Sequence, residues 1–168
     1  MNRHANITDP LPTKHNTGYV YFERVKKMKQ KIKIYSLFKY ILTFTYAFLI
    51  FYVSSQNTSS VTLPVFSDKI IHFFEFGLLC FMICWSVFSF SIRIKHIYIV
   101  IIAICITSLY GLSDEIHQYF TPYRSVDVLD WFADTSGAVT AGFFWKMLVY
   151  KLQRKQKSLA MGKTPINM

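Results

Sequence analysis

Acidic residues are scarce in this chain: nine Asp and Glu stand against 19 Lys and Arg, a formal charge of +10 over 168 residues. Cysteine (three), proline (five) and glycine (six) are scarcer still. Cys80, Cys84 and Cys105 form no C-x-x-C pair and have no histidine at zinc spacing, which removes a disulfide framework and a zinc finger. They read as small apolar packing residues. With so little glycine there is no phosphate-cradling loop and no G-x-S-x-G elbow, and no internal repeat is visible. The excess is apolar: 52% of residues are hydrophobic, among them 16 Phe and 11 Tyr. Such a composition excludes a disordered chain, and the length allows one domain. The basic charge is segregated from the apolar runs, which argues against nucleic acid as a partner.

Crossing about 30 Å of hydrocarbon takes roughly 20 mostly apolar helical residues. Four windows have that length: Tyr35 to Val53, Ile70 to Phe90, Ile94 to Leu112 and Trp131 to Tyr150. A soluble bundle would carry a polar stripe at helical spacing, and the run from Ile97 to Ile106 has none. The expected fold is therefore all-α, an integral membrane four-helix bundle of residues 34–150. A basic cytoplasmic segment, 1–33, precedes it and a basic cytoplasmic tail, 151–168, follows. The first 27 residues read as a polar, loosely ordered lead-in, with Met28 an alternative start. The first span competes with a signal peptide, but its apolar stretch of about 19 residues exceeds the usual h-region.

Charge sets the expected orientation. Seventeen Lys and Arg and two acids fall in the N-terminal segment, the connection between the second and third windows, and the tail. Lys26, Lys27, Lys29, Lys31 and Lys33 crowd the approach to the first span. The opposite side has Lys69 and Arg124 against seven acids, a balance of −5. Basic residues near span ends stay cytoplasmic, so both termini are expected inside a cell membrane, with the acidic connections outside. Asn57-Thr58-Ser59 is a short glycosylation-type match on that outer side.

The acids also have a pattern. Asp68, His72 and Glu75 are spaced by four and three, as are Asp127, Asp130 and Asp134, so each set can share a helix face. Gly137 and Ala141 continue the second stripe, where small residues let a neighbouring helix approach. Between these sets, Ser113-Asp114-Glu115-Ile116-His117-Gln118 places Asp114 beside Gln118 and Ser113 beside His117. Three helices thus bring polar faces to one leaflet. Acids at helix starts also favour the dipole, but His72, Gln118 and Arg124 have no such role. Arg124 follows Pro122 and can hold a carboxylate through two parallel hydrogen bonds, with Glu75, Asp127 or Asp130 as expected partners.

These residues resemble the VanZ-like family of bacterial membrane proteins over about 35–150. The likeness lies in Asp68-Lys69-x-x-His72-x-x-x-Phe76-Gly77. It continues in Ser113-Asp114-Glu115-x-His117-Gln118-x-Phe120-x-Pro122-x-Arg124-x-x-Asp127-x-x-Asp130, and in Gly137. Asp134 stands where the family commonly has Asn, and Tyr123 where Gly is more usual. The resemblance implies a small multi-span cytoplasmic-membrane protein; the family's named member is associated with resistance to glycopeptides, teicoplanin in particular.

Two functions are open at this point. One is binding of an envelope ligand, a lipid-linked precursor or a glycopeptide, at Asp68, Lys69, His72, Glu75, Asp114, Glu115, Gln118, Arg124, Asp127, Asp130 and Asp134. The other is a membrane-embedded enzyme with His72 or His117 as base and Glu75, Asp114 or Glu115 as acid or metal ligand. The binding reading is preferred, with the bilayer as partner and no cofactor or metal expected, since no H-E-x-x-H or comparable spacing occurs. Nothing in the sequence sets an oligomeric state.

Overall fold

The computed structural model describes residues 14–56, 67–88, 95–122 and 126–161. Among them are four α-helices and no strand: α1 (Lys14–Ser54), α2 (Ser67–Val87), α3 (His96–Tyr119) and α4 (Val128–Met161). The chain divides into two units, Met1–Phe38 and Lys39–Met168. The first holds the leading part of α1. Its residues from Lys14 are helical rather than loosely ordered as expected. Beyond Pro12 the stretch has no proline and is rich in Lys, Arg and Gln, all good helix formers. At the other end α4 runs past the expected boundary at 150 to Met161, again through Lys, Arg and Gln.

In the second unit the helices run antiparallel in sequence order. At one end Ser55, just past α1, meets His117 of α3, and Lys69 of α2 meets Asp130 of α4. At the opposite end Thr43 of α1 meets Ser86 of α2, and His96 of α3 meets Gln153 of α4. Two apolar clusters fill the interior. Cys80, Cys84, Val100, Ala103, Ala138, Trp145 and Val149 form one from α2, α3 and α4. Ile50, Phe76 and Leu79 form the other, closed by Tyr46, Ala47 and Tyr110. Both Cys80 and Cys84 are free and buried, in the packing role expected of them, whereas Cys105 is exposed.

Most large apolar side chains point outward instead, among them Phe44, Phe48, Ile101, Ile102, Phe143 and Phe144. Water would penalise such a surface, and hydrocarbon would not. Three helices are long and apolar enough to cross a membrane: Val20–Ser54, Ser67–Val87 and His96–Tyr119. Helix α4 differs in composition. Asp134, Thr135, Ser136, Thr140 and Lys146 dilute the apolar residues of α4, so it falls short of that test among the described residues. Even so α4 packs against both α2 and α3, and its contact with α2 is the most extensive of the helix pairs.

Glycine makes that contact close. A Cβ placed on Gly77 would sit 3.2 Å from the Gly137 carbonyl oxygen, and one on Gly137 would overlap the carbonyl of Phe73. Backbone therefore meets backbone at the α2–α4 crossing, as the Gly137 stripe foretold.

Candidate functional site

The polar residues gather where α1 and α3 end and α2 and α4 begin. Helix α3 stops as Phe120 and Thr121 donate their N–H groups to the His117 and Gln118 carbonyls, with Pro122 next to prevent continuation. Asp127 opens α4 by accepting the Leu129 N–H on its carboxylate at 2.9 Å, the geometry of an N-cap. Asp130, one turn in, lies where the helix dipole favours a negative charge.

Lys69 bridges α2 to this start: its ammonium donates to the carboxylates of Asp127 and, at 2.6 Å, Asp130. The Asp127 carboxyl is held below the usual carboxylate range, chiefly by the Lys69 hydrogen bond and then by the Leu129 N–H. One turn further along, His72 Nδ1 lies 2.9 Å from Asp134 Oδ1. Both are buried, Asp134 completely. The His72 ring stacks on Phe76. Asp134 Oδ2 is buried without a hydrogen-bond partner and faces Gly111, where a Cβ would come within 2.6 Å of it. Glycine at 111 is thus the space into which the carboxylate fits.

Helix α3 contributes the remaining acids. Gln118 Nε2 donates to Asp114 Oδ2 at 2.9 Å. Glu115 Oε2 accepts the Asp127 backbone N–H at 3.0 Å, and its Oε1 is buried and unpartnered. Asp114, Glu115, Gln118, Asp130 and Asp134 are all at most 4% exposed. Asp68, half-buried, completes the set: Asp68, His72 and Asp130 present ligand atoms within 4.8 Å of one another.

Most of the sequence-derived residues meet at this end. Asp68, Lys69, His72, Asp130 and Asp134 lie on the α2–α4 seam, and Asp114, Glu115 and Gln118 join from α3 through the Glu115–Asp127 bond. Glu75 is half-buried, and the Tyr46 hydroxyl of α1 donates to its backbone carbonyl oxygen at 3.2 Å. Arg124 lies outside the described residues. The cation bound to Asp127 and Asp130 is Lys69, a residue that the sequence placed in the site without a pairing role. Asp68 and His72 share the i, i+4 spacing, but Asp130 comes from another helix, so no linear spacing completes the trio. Ser55 also escaped notice: its hydroxyl lies 2.9 Å from His117 Nε2, and Phe51 packs on that ring.

The VanZ/LLP1 family model matches residues 12–150, a range that contains the whole cluster. This chain belongs to the VanZ/LLP1 family. The match reaches further toward the N-terminus than the motifs do, taking in all of α1. No curated protein and no solved structure matches the chain. As a VanZ-like membrane protein it carries six carboxylates, from Asp68 to Asp134, around one lysine and one histidine among the described residues. Such an excess of acceptors favours cations and hydrogen-bond donors over anions.

Proposed function

We propose that this VanZ/LLP1 protein binds an envelope ligand at the polar end of the helices, as part of the cell's response to glycopeptides such as teicoplanin. The observation that carries the reading is the buried excess of acids. Buried charge is costly in a membrane and is retained where function needs it, and here Glu115 and Asp134 each keep a buried oxygen without a partner. The ligand is then a donor-rich molecule, a lipid-linked precursor or the glycopeptide itself. The charge asymmetry supports placing the polar end outside and both termini in the cytoplasm. The test is a susceptibility profile of a deletion strain against lipid-bearing and lipid-free glycopeptides, with wild-type and Asp130→Asn complementation. Selective loss of resistance to the lipid-bearing drug, restored by wild type alone, is expected. Equal susceptibility to both drugs in all strains would remove the reading.

A second reading rests on the Asp68–His72–Asp130 trio. Asp134 on Nδ1 orients the His72 ring as a carboxylate does for a metal-ligating histidine, and the trio suits a divalent cation. A metal-dependent reaction on an envelope substrate would follow. Metal content of the purified protein, before and after chelation and in Asp68→Asn, separates the two: no stoichiometric metal leaves binding alone.

A further inference from the structure

Beside the cluster, between the last turns of α3 and the first of α4, runs a groove of about 320 Å³, near the lower bound for ligand pockets. Its walls include Leu112, Ile116, Phe120, Val126, Val128 and Trp131. Apolar walls are ordinary on a membrane protein; the exception is Glu115, which lines the same groove. Glu115 is 4% exposed, its Oε2 is taken by the Asp127 amide, and its Oε1 has no partner. A buried acceptor left unpaired is unfavourable. Lys69, the described cation at this end, is already committed to Asp127 and Asp130. The groove thus joins an apolar trough to an acceptor that lacks a donor.

We infer that this groove seats a membrane lipid whose headgroup carries a primary ammonium, with Glu115 Oε1 accepting from the ammonium and the apolar walls holding the upper acyl chain. An ammonium supplies three N–H donors and a positive charge, which complements an end where acids outnumber cations. A quaternary ammonium has the charge without the donors, and phosphatidylglycerol has hydroxyl donors without the positive charge. The inference deepens the binding reading above and rests on it, because Glu115 belongs to both the groove and the cluster.

Trp131 lines the groove and serves as reporter; the other tryptophans, Trp85 and Trp145, are replaced in a W85F/W145F protein. The full chain is placed in phosphatidylcholine nanodiscs with a minor fraction of brominated phosphatidylethanolamine, phosphatidylcholine or phosphatidylglycerol. Brominated phosphatidylethanolamine is expected to quench Trp131 severalfold more than the other two at equal fraction, and Glu115→Gln to abolish the difference. Should the tryptophan variant fail to fold, native mass spectrometry of the otherwise unaltered protein reads the same preference as retained lipid. Equal quenching or retention of all three, preference for phosphatidylglycerol, or an ethanolamine preference that survives Glu115→Gln would each overturn the inference. If lipid preference is absent while Asp130→Asn still alters glycopeptide susceptibility, this inference fails and the binding reading stands. If preference is present and susceptibility never changes, the resistance reading fails and the groove stands.

Discussion

At one end of α2, α3 and α4, Cys80, Cys84, Val100, Ala103, Trp145 and Val149 pack side chain to side chain. At the other, the same helices bury His72, Asp114, Glu115, Gln118, Asp130 and Asp134. The α2–α4 crossing at Gly77 and Gly137 lies between them. In hydrocarbon no hydrophobic force draws helices together, so the apolar end is held by dispersion and close backbone approach. The polar end gains less than it costs, because desolvated charges break even at best against apolar packing of the same shape. The contrast teaches that the packing that holds the helices together and the acids proposed to bind a ligand occupy different lengths of the same helices.

Breaking the apolar end should do most harm. Trp145→Ala removes an indole packed edge-on against Phe81, and should lower stability by about 3 kcal/mol or more, read as thermal unfolding in detergent. Gly137→Val comes next. Its Cβ would drive into the Phe73 carbonyl, so a loss of about 2–3 kcal/mol is expected, together with a weaker His72–Asp134 contact visible as a changed histidine NMR shift.

The polar end should respond differently. Asp134→Ala strands buried His72 and is expected to cost about 2 kcal/mol. The double replacement H72L/D134L should recover most of that loss while abolishing ligand binding; if binding survives, the dyad is structural alone. Lys69→Met should cost about 1–2 kcal/mol, since the Asp127 pair is partly exposed but Asp130 is buried and loses its cation, and should weaken binding by altering how both acids are held.

The smallest effect concerns pH. The folded-state titration of Asp127 lies below its ordinary value of 3.8, so its pairing with Lys69 stabilises above that value and is lost as pH falls through the lower folded one. Unfolding midpoints measured between pH 5 and 2 should show a small acid-side decline that Asp127→Asn flattens.

Much of this was legible in one dimension. The length of the apolar windows indicated the helices, and the i, i+3, i+4 spacing of Asp68, His72, Asp127, Asp130 and Asp134 indicated which polar residues share a seam. Gly137 marked a close crossing, although its partner Gly77 stood out only within a motif. Pairing was less legible. Glu75 shares the helical spacing of His72, yet the spacing does not reveal that the Tyr46 hydroxyl of α1 bonds its backbone carbonyl, because a face 100° or more wide touches two neighbours at once. Likewise the length of α4 was legible, but not that Asp130 and Asp134 would face α2 and Thr135 would face α3, while Ser136 and Thr140 bond within α4.

Sequence by itself determined the all-helical architecture, the family and the sorting of charge between the two ends, because hydrophobic length and net charge are additive along a chain. Tertiary structure decided that Lys69 holds Asp127 and Asp130, that Asp134 fits into the space at Gly111, and that Glu115 keeps a buried, unpartnered oxygen beside an apolar groove. Those outcomes depend on how closely and at what rotation helices meet. Such quantities are set by backbone contact at a few glycines, and no spacing along one helix encodes them.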